Sequence, residues 1–119
     1  MAAMTLSVGM VTFDSTNPQP LATWWAQQLG GQVTGFEDGD YFGMVALPTG
    51  MILAFQKVPD PTPGKNKIHL DLGADNRAAE VARLTAAGTS LVGEHEHDGF
   101  AWTTLADPDG NQFCVAEHE

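Results

Sequence analysis

The chain has 119 residues, 43% of them apolar and 17% charged, and its five Lys and Arg face fifteen Asp and Glu for a formal net charge of −10. This length fits one domain with a real core. No apolar run approaches the roughly 20 residues needed to cross a bilayer, and the negative charge works against nucleic acid and anionic membrane surfaces, which are bound through basic patches. The opening Met1-Ala2-Ala3-Met4 has neither a basic nor an apolar signal region. A lone cysteine, Cys114, excludes an internal disulfide, so the cytoplasm is the expected compartment.

Leu6 to Phe13 is rich in Val, Met, Thr and Phe and reads as a strand. Asp14-Ser15-Thr16-Asn17-Pro18 then supplies capping and turn residues, with a proline suited to the first turn of a helix. Leu21, Trp24, Trp25 and Leu29 recur at helical spacing, and Gly30-Gly31 closes the segment. Three short strands follow, 32–36, 41–47 and 51–56, separated by Glu37-Asp38-Gly39-Asp40 and by Pro48-Thr49-Gly50.

The stretch from Val58 to Gly64 carries three prolines and reads as a connector. Beyond it the order starts again. Residues 67–72 alternate as a half-buried strand, and Asp75 or Asn76 can cap a helix over 77–87 that stops at Gly88. Strands are expected at 90–93, 100–106 and 111–117, with Asp107-Pro108-Asp109-Gly110 as the last turn. A slide of about 60 residues lays Pro48-Thr49-Gly50 over Pro108-Asp109-Gly110. The predicted fold is α+β: one domain of two βαβββ modules, at about 5–57 and 66–118 with a linker at 58–65, whose curved mixed sheets surround a concave pocket and carry the helices on the convex side.

Period-two alternation assigns faces to the strands. Ile68, Leu70 and Leu72 form the core set of their strand, which turns Lys67, His69 and Asp71 toward the concave side. Phe113 and Val115 belong to the core and leave Gln112, Cys114 and Ala116 inward. Phe100, Trp102 and Thr104 are placed inward, with Ile52, Ala54 and Gln56 as their counterparts in the first module and Leu53 and Phe55 in the core. A slip of one residue reverses any of these assignments.

Three stretches, from Asp14 through Trp24-Trp25 to Leu29-Gly30, Lys67-Ile68-His69-Leu70-Asp71-Leu72, and Leu105 to Val115 with its Asp107-Pro108-Asp109-Gly110-Asn111 turn, make the chain resemble the glyoxalase/bleomycin-resistance/extradiol-dioxygenase group, the vicinal oxygen chelate superfamily, in its glyoxalase-like branch. The resemblance implies paired βαβββ modules, a homodimer and ligands held in the concave sheet. It also implies one divalent metal held by His and Glu side chains from the first and last strands of the modules. His69 falls at one such position. Cys114 stands where a Glu is expected, Ala54 lies at the first-module counterpart, and Gly9, Met10 or Val11 stand where another His is needed. A divalent ion needs several N and O donors, so no metal and no cofactor are expected.

Each candidate has a plainer role beside the functional one. His69 either meets a ligand or is satisfied by polar neighbours such as Asp71. Cys114 reads as a small filler, because no His or basic residue beside it in sequence activates it. Trp102 either stacks on a planar ligand or packs in the core. Glu94-His95-Glu96-His97-Asp98 has the composition of a metal tract but is expected to be a solvated loop.

The function expected is metal-free binding of a hydrophobic or aromatic small molecule, with a cationic, antibiotic-like one favoured by the net charge, through Ile52, Ala54, Gln56, Lys67, His69, Phe100, Trp102, Thr104, Gln112 and Cys114. The alternatives are an isomerase, lyase or dioxygenase-type enzyme with an atypical site around His69 and Cys114, and a regulatory subunit that keeps the fold without the chemistry.

Overall fold

Pro18 and Pro20 cannot donate backbone hydrogen bonds, yet they open a helix, because the first turn has no acceptors for those groups anyway. The computed structural model describes residues 8–37 and 39–118, and these divide into two compact units that meet between Pro61 and Thr62. Each unit holds one four-stranded mixed sheet and one helix in βαβββ order, so the fold is α+β and built from a repeated module.

In the first unit β1 (Val11–Ser15) leads into α1 (Pro18–Leu29), followed by β2 (Gln32–Gly35), β3 (Phe42–Ala46) and β4 (Ile52–Lys57). The sheet order is β1-β4-β3-β2, with β1 parallel to β4 and the other pairs antiparallel. Strand β1 starts and ends later than the sequence suggests. Its parallel register with β4 runs on to Ser15 opposite Lys57, so Asp14 and Ser15 belong to the strand and not to the turn. The expected strand residues Leu6 and Ser7 lie outside the described residues.

The helix buries Leu21, Ala22, Trp25 and Ala26. Trp25 meets Phe13 at a ring-centroid distance of 5.7 Å, and Phe13 stacks on Phe55 at 4.9 Å. Leu53, Phe55 and Val45 are fully enclosed beneath this helix face, where such packing supplies most of the stabilisation. One residue on the far edge is constrained differently. Phe36 adopts a left-handed φ of 61° and folds its ring over Gly43, where any β-carbon would overlap it.

The second unit has β5 (Asp71–Ala74), α2 (Arg77–Ala86), β6 (Ser90–His97), β7 (Phe100–Ala106) and β8 (Gln112–Glu117), with sheet order β5-β8-β7-β6. Asn76 caps α2 by accepting from the Ala79 N–H at 3.0 Å. Leu84, Leu105, Phe113, Val115 and Ala74 form its core.

The repeat is visible in backbone hydrogen bonds. Leu47 N–H donates to the Met51 carbonyl and Gly50 N–H to that of Leu47, both at 2.9 Å, while Asp107 N–H and Gly110 N–H make the same bonds to Asn111 and Asp107 at 2.8 Å. In the second unit the side chain reinforces the turn: Asp107 Oδ1 accepts from the N–H groups of Asp109 and Asn111 at 2.9 and 2.8 Å.

Two expectations for this unit are corrected. The strand expected over 67–72 begins only at Asp71, and Ile68, assigned to the core, is 80% exposed. The cause lies at Asn66, whose side chain takes the place of a strand residue beside Gln112 and displaces the chain that follows. The stretch from Glu94 to His97, expected as a loop, is the second half of β6. Asp98 and Gly99 alone make the turn, with φ of 51° and 81°, and His97 pairs with Phe100 across it. Positive φ at both central residues matches the right-handed twist of a hairpin, which an Asp-Gly pair adopts at low cost.

Among the described residues no helix is long and apolar enough to cross a membrane.

Candidate functional site

The side of the second sheet away from α2 carries a cavity of about 920 Å³, and every residue lining it belongs to the second unit. All four strands of the sheet and the segment before β5 supply its walls, Asp71 and Leu72 coming from β5 itself. Strand β7 contributes Phe100, Trp102 and Thr104, the alternate positions whose intervening neighbours, Thr103 and Leu105, are buried. Strand β8 contributes Gln112, Cys114 and Ala116, between buried Phe113 and Val115.

Strand β6 reaches the cavity through an irregularity. Leu91 pairs with Leu105, but the next pair is Gly93 with Thr104, so one extra residue is inserted at Val92. Such a bulge reverses the facing of everything beyond it. Leu91 therefore shares its side with Leu105, whereas Val92, His95 and His97 turn into the cavity. His95 stacks on Trp102 at 5.4 Å with rings 29° apart, and Trp102 meets Phe100 at 5.9 Å. Three aromatic side chains thus run in a row along the cavity wall.

A further wall comes from the chain before β5. Asn66 Nδ2 donates to the Gln112 carbonyl at 3.0 Å, and the Gln112 N–H donates to Asn66 Oδ1 at 2.9 Å. Further on, the Cys114 N–H donates to the Leu70 carbonyl at 2.9 Å. These bonds hold Lys65 and His69 at the cavity although neither is in a strand. His69 Nε2 lies 3.3 Å from Asp71 Oδ1, and Thr104 Oγ1 is 3.4 Å from Cys114 Sγ.

Of the residues singled out in the sequence, His69, Phe100, Trp102, Thr104, Gln112 and Cys114 line this one cavity. Lys67 does not; the displaced segment puts Lys65 in the lining instead and leaves Lys67 exposed outside it. Ile52, Ala54 and Gln56 belong to the first unit and are not part of this lining, and Ala54 is completely buried between Thr12 and Met44 on the neighbouring strands. Val92, His95 and His97 were missed. The Asp98-Gly99 pair was the available signal, because a two-residue hairpin turn makes the preceding Glu-His-Glu-His a strand with both histidines on one face. The bulge at Val92 has no comparable signature.

Among the described residues, the donors that cluster are the His69 imidazole, the Asp71 carboxylate and the Cys114 sulfur, whose ligating atoms lie within 4.8 Å of one another. They do not fit the His and Glu centre that the family resemblance implies. Sulfur stands in place of the hard carboxylate, and β4, Ile52–Lys57, has no His or carboxylate to contribute. A thiolate-containing trio would suit a borderline ion such as zinc rather than a hard one, and in this structure His69 and Asp71 are exposed, with the Cys114 sulfur against Thr104.

The glyoxalase-like domain family matches residues 10–116, and the chain belongs to that family. No protein of curated function matches the sequence. Among solved structures, a protein of Agrobacterium tumefaciens superposes with a TM-score of 0.78 at 20% identity, covering 97% of this chain and 99% of its own. A glyoxalase/bleomycin resistance protein/dioxygenase family enzyme of Burkholderia phytofirmans PsJN gives 0.75 at 18% identity, with 92% and 96% covered. The oxidase ChaP-H2 gives 0.69 at 18% identity, with 98% and 96% covered. At these identities the likeness establishes the shared fold, and activity must be argued from the site.

Proposed function

We propose that the chain is a metal-free binding protein that takes up a small, largely aromatic molecule in the cavity of its second unit. The observation that carries this reading is the row of His95, Trp102 and Phe100 along a cavity of about 920 Å³. A volume of that order accommodates a drug-sized molecule, and offset or tilted aromatic contacts favour a planar guest. Sequestration of such a molecule, as in the antibiotic-resistance members of the superfamily, is the corresponding role. The proposal includes a homodimer in the cytoplasm.

The test is a tryptophan-fluorescence titration against planar aromatic compounds, read in the wild type and in Trp102→Phe. Saturable quenching lost in the variant supports uptake at this wall. Identical curves from the two proteins would place the guest elsewhere.

A second reading, an enzyme with acid–base chemistry at His69, is favoured by the Asp71 carboxylate 3.3 Å from its Nε2. A carboxylate in that position orients an imidazole for proton transfer. Turnover of any bound compound that disappears in His69→Ala, with binding kept, would move the assignment to this reading.

A further inference from the structure

We propose that the molecule taken up in this cavity carries an anionic oxygen, a carboxylate or a phenolate, on its aromatic frame. The inference rests on the uptake reading above and concerns the chemical class of the guest.

The chain's charge and the cavity's charge differ in kind. Fifteen Asp and Glu give the chain a formal −10. Among the described residues, the cavity lining holds one carboxylate, Asp71, and one ammonium, Lys65, so it is formally neutral. Three of the four histidines of the chain, His69, His95 and His97, also lie there. The lining thus sets one carboxylate beside one ammonium and three imidazoles, groups that donate hydrogen bonds to oxygen. An imidazole offers an N–H in either protonation state and a full positive charge in one of them.

The single carboxylate has its Oδ1 3.3 Å from His69 Nε2. Another carboxylate near the rim, Asp98, stands 3.3 Å from His97 Nε2. The Lys65 ammonium has no such contact recorded among the described residues, and the side chain hangs from the segment that Asn66 holds against β8. An aromatic plane against Trp102 with its oxygen toward Lys65 and His69 uses both halves of the wall. Hydrogen bonds in which a partner is ionised are about twice as strong as neutral ones. The negative field of the whole chain slows the approach of an anion, but that field is screened over about 8–10 Å at ordinary salt.

The experiment uses four probes on one ring system: 2-naphthoate, a nitronaphtholate, the uncharged 2-naphthalenemethanol and cationic 2-naphthylmethylamine, each titrated calorimetrically into the full chain near neutral pH. The expected result is that at least one of the two anions binds about tenfold more tightly than the alcohol, the amine being weakest. Which anion leads distinguishes a carboxylate guest from a phenolate one. In Lys65→Gln and in His69→Gln, both exposed positions whose variants are checked by circular dichroism, the ratio of anion to alcohol affinity falls toward one. An alcohol that binds as well as both anions, or an amine that binds better, overturns the inference and leaves the uptake reading standing. If none of the four binds, the uptake reading fails and this inference with it.

Discussion

The carboxamide of Asn66 makes a two-way clasp on the backbone of Gln112, donating to its carbonyl at 3.0 Å and accepting from its N–H at 2.9 Å. A side chain here does what a paired strand residue would do, forty-six positions along the chain. Its consequence is functional geometry, because the segment it fixes carries Lys65 and His69 to the cavity. Asn66→Ala leaves two part-buried backbone groups without those bonds, each costing on the order of 1 kcal/mol. The expected outcome is a modest fall in melting temperature together with weaker guest binding. Amide hydrogen exchange checks the cause: the Gln112 amide should lose protection while the Leu105 amide in β7 keeps it. Unchanged exchange at Gln112 would sink this account of the clasp.

Gly43 provides a test of the first unit. Its neighbour across the sheet edge, Phe36, holds a φ of 61° and lays its ring where a Gly43 β-carbon would stand. Backbone of that kind costs a non-glycine residue about 1–2 kcal/mol, so the ring must be held by what it covers. Gly43→Ala is expected to destabilise by about 1–3 kcal/mol through overpacking. In Gly43→Ala/Phe36→Ala the clash is gone, and the further alanine at 43 should cost less than it does beside Phe36. A double-mutant cycle on denaturant midpoints measures the coupling; simple additivity would show that the ring is not the obstacle.

Where local chemistry determined structure, the sequence was legible. The Asp107-Pro108-Asp109-Gly110 turn, the Asn76 cap and the inward set of Phe100, Trp102 and Thr104 follow from side-chain hydrogen bonding and from period-two alternation. Two kinds of information were not local. One is the bulge at Val92, which sets the facing of His95 and His97 and depends on how β6 is matched to β7. The other is the Asn66 clasp, a contact between distant positions that makes Lys67-Ile68-His69 irregular although its alternation imitates a strand. Net charge is not local either: it sums the whole chain, whereas a guest meets a lining that is formally neutral among the described residues.

The bulge itself can be tested. Deleting Val92 removes the inserted residue between the Leu91 and Gly93 pairs, and a regular ladder then has two ways to form. If the Asp98-Gly99 turn keeps its register, His95 still stacks on Trp102 and Leu91 pairs with its usual partner. If instead the turn register is lost, β6 slips by one residue and His95 and His97 leave the cavity. Because the Asp-Gly turn and the pairs on both sides of Val92 keep their register once the inserted residue is gone, the first outcome is expected. The aromatic contact between His95 and Trp102 shifts ring protons in a nuclear magnetic resonance spectrum, and retention of those shifts in the deletion variant checks it.

The donor trio of His69, Asp71 and Cys114 gives the last prediction. Its ligating atoms lie within 4.8 Å of one another. A tetrahedral zinc ion with ligands at about 2.0–2.3 Å sets its donors about 3.3–3.8 Å apart, so binding one would replace the hydrogen bond between His69 and Asp71 without separating them and would draw the Cys114 sulfur nearer. With no donor from β4 to complete the set, the expected affinity for zinc is weak, and chelator treatment should leave both the melting temperature and guest binding unchanged. Cys114→Ser should likewise alter guest binding by less than about threefold, because a hydroxyl can keep the Thr104 contact. A stoichiometric zinc ion retained through purification and lost in Cys114→Ser and His69→Ala would contradict the metal-free reading. It would make the trio a centre of its own kind, with sulfur in the place that a hard carboxylate takes in related enzymes.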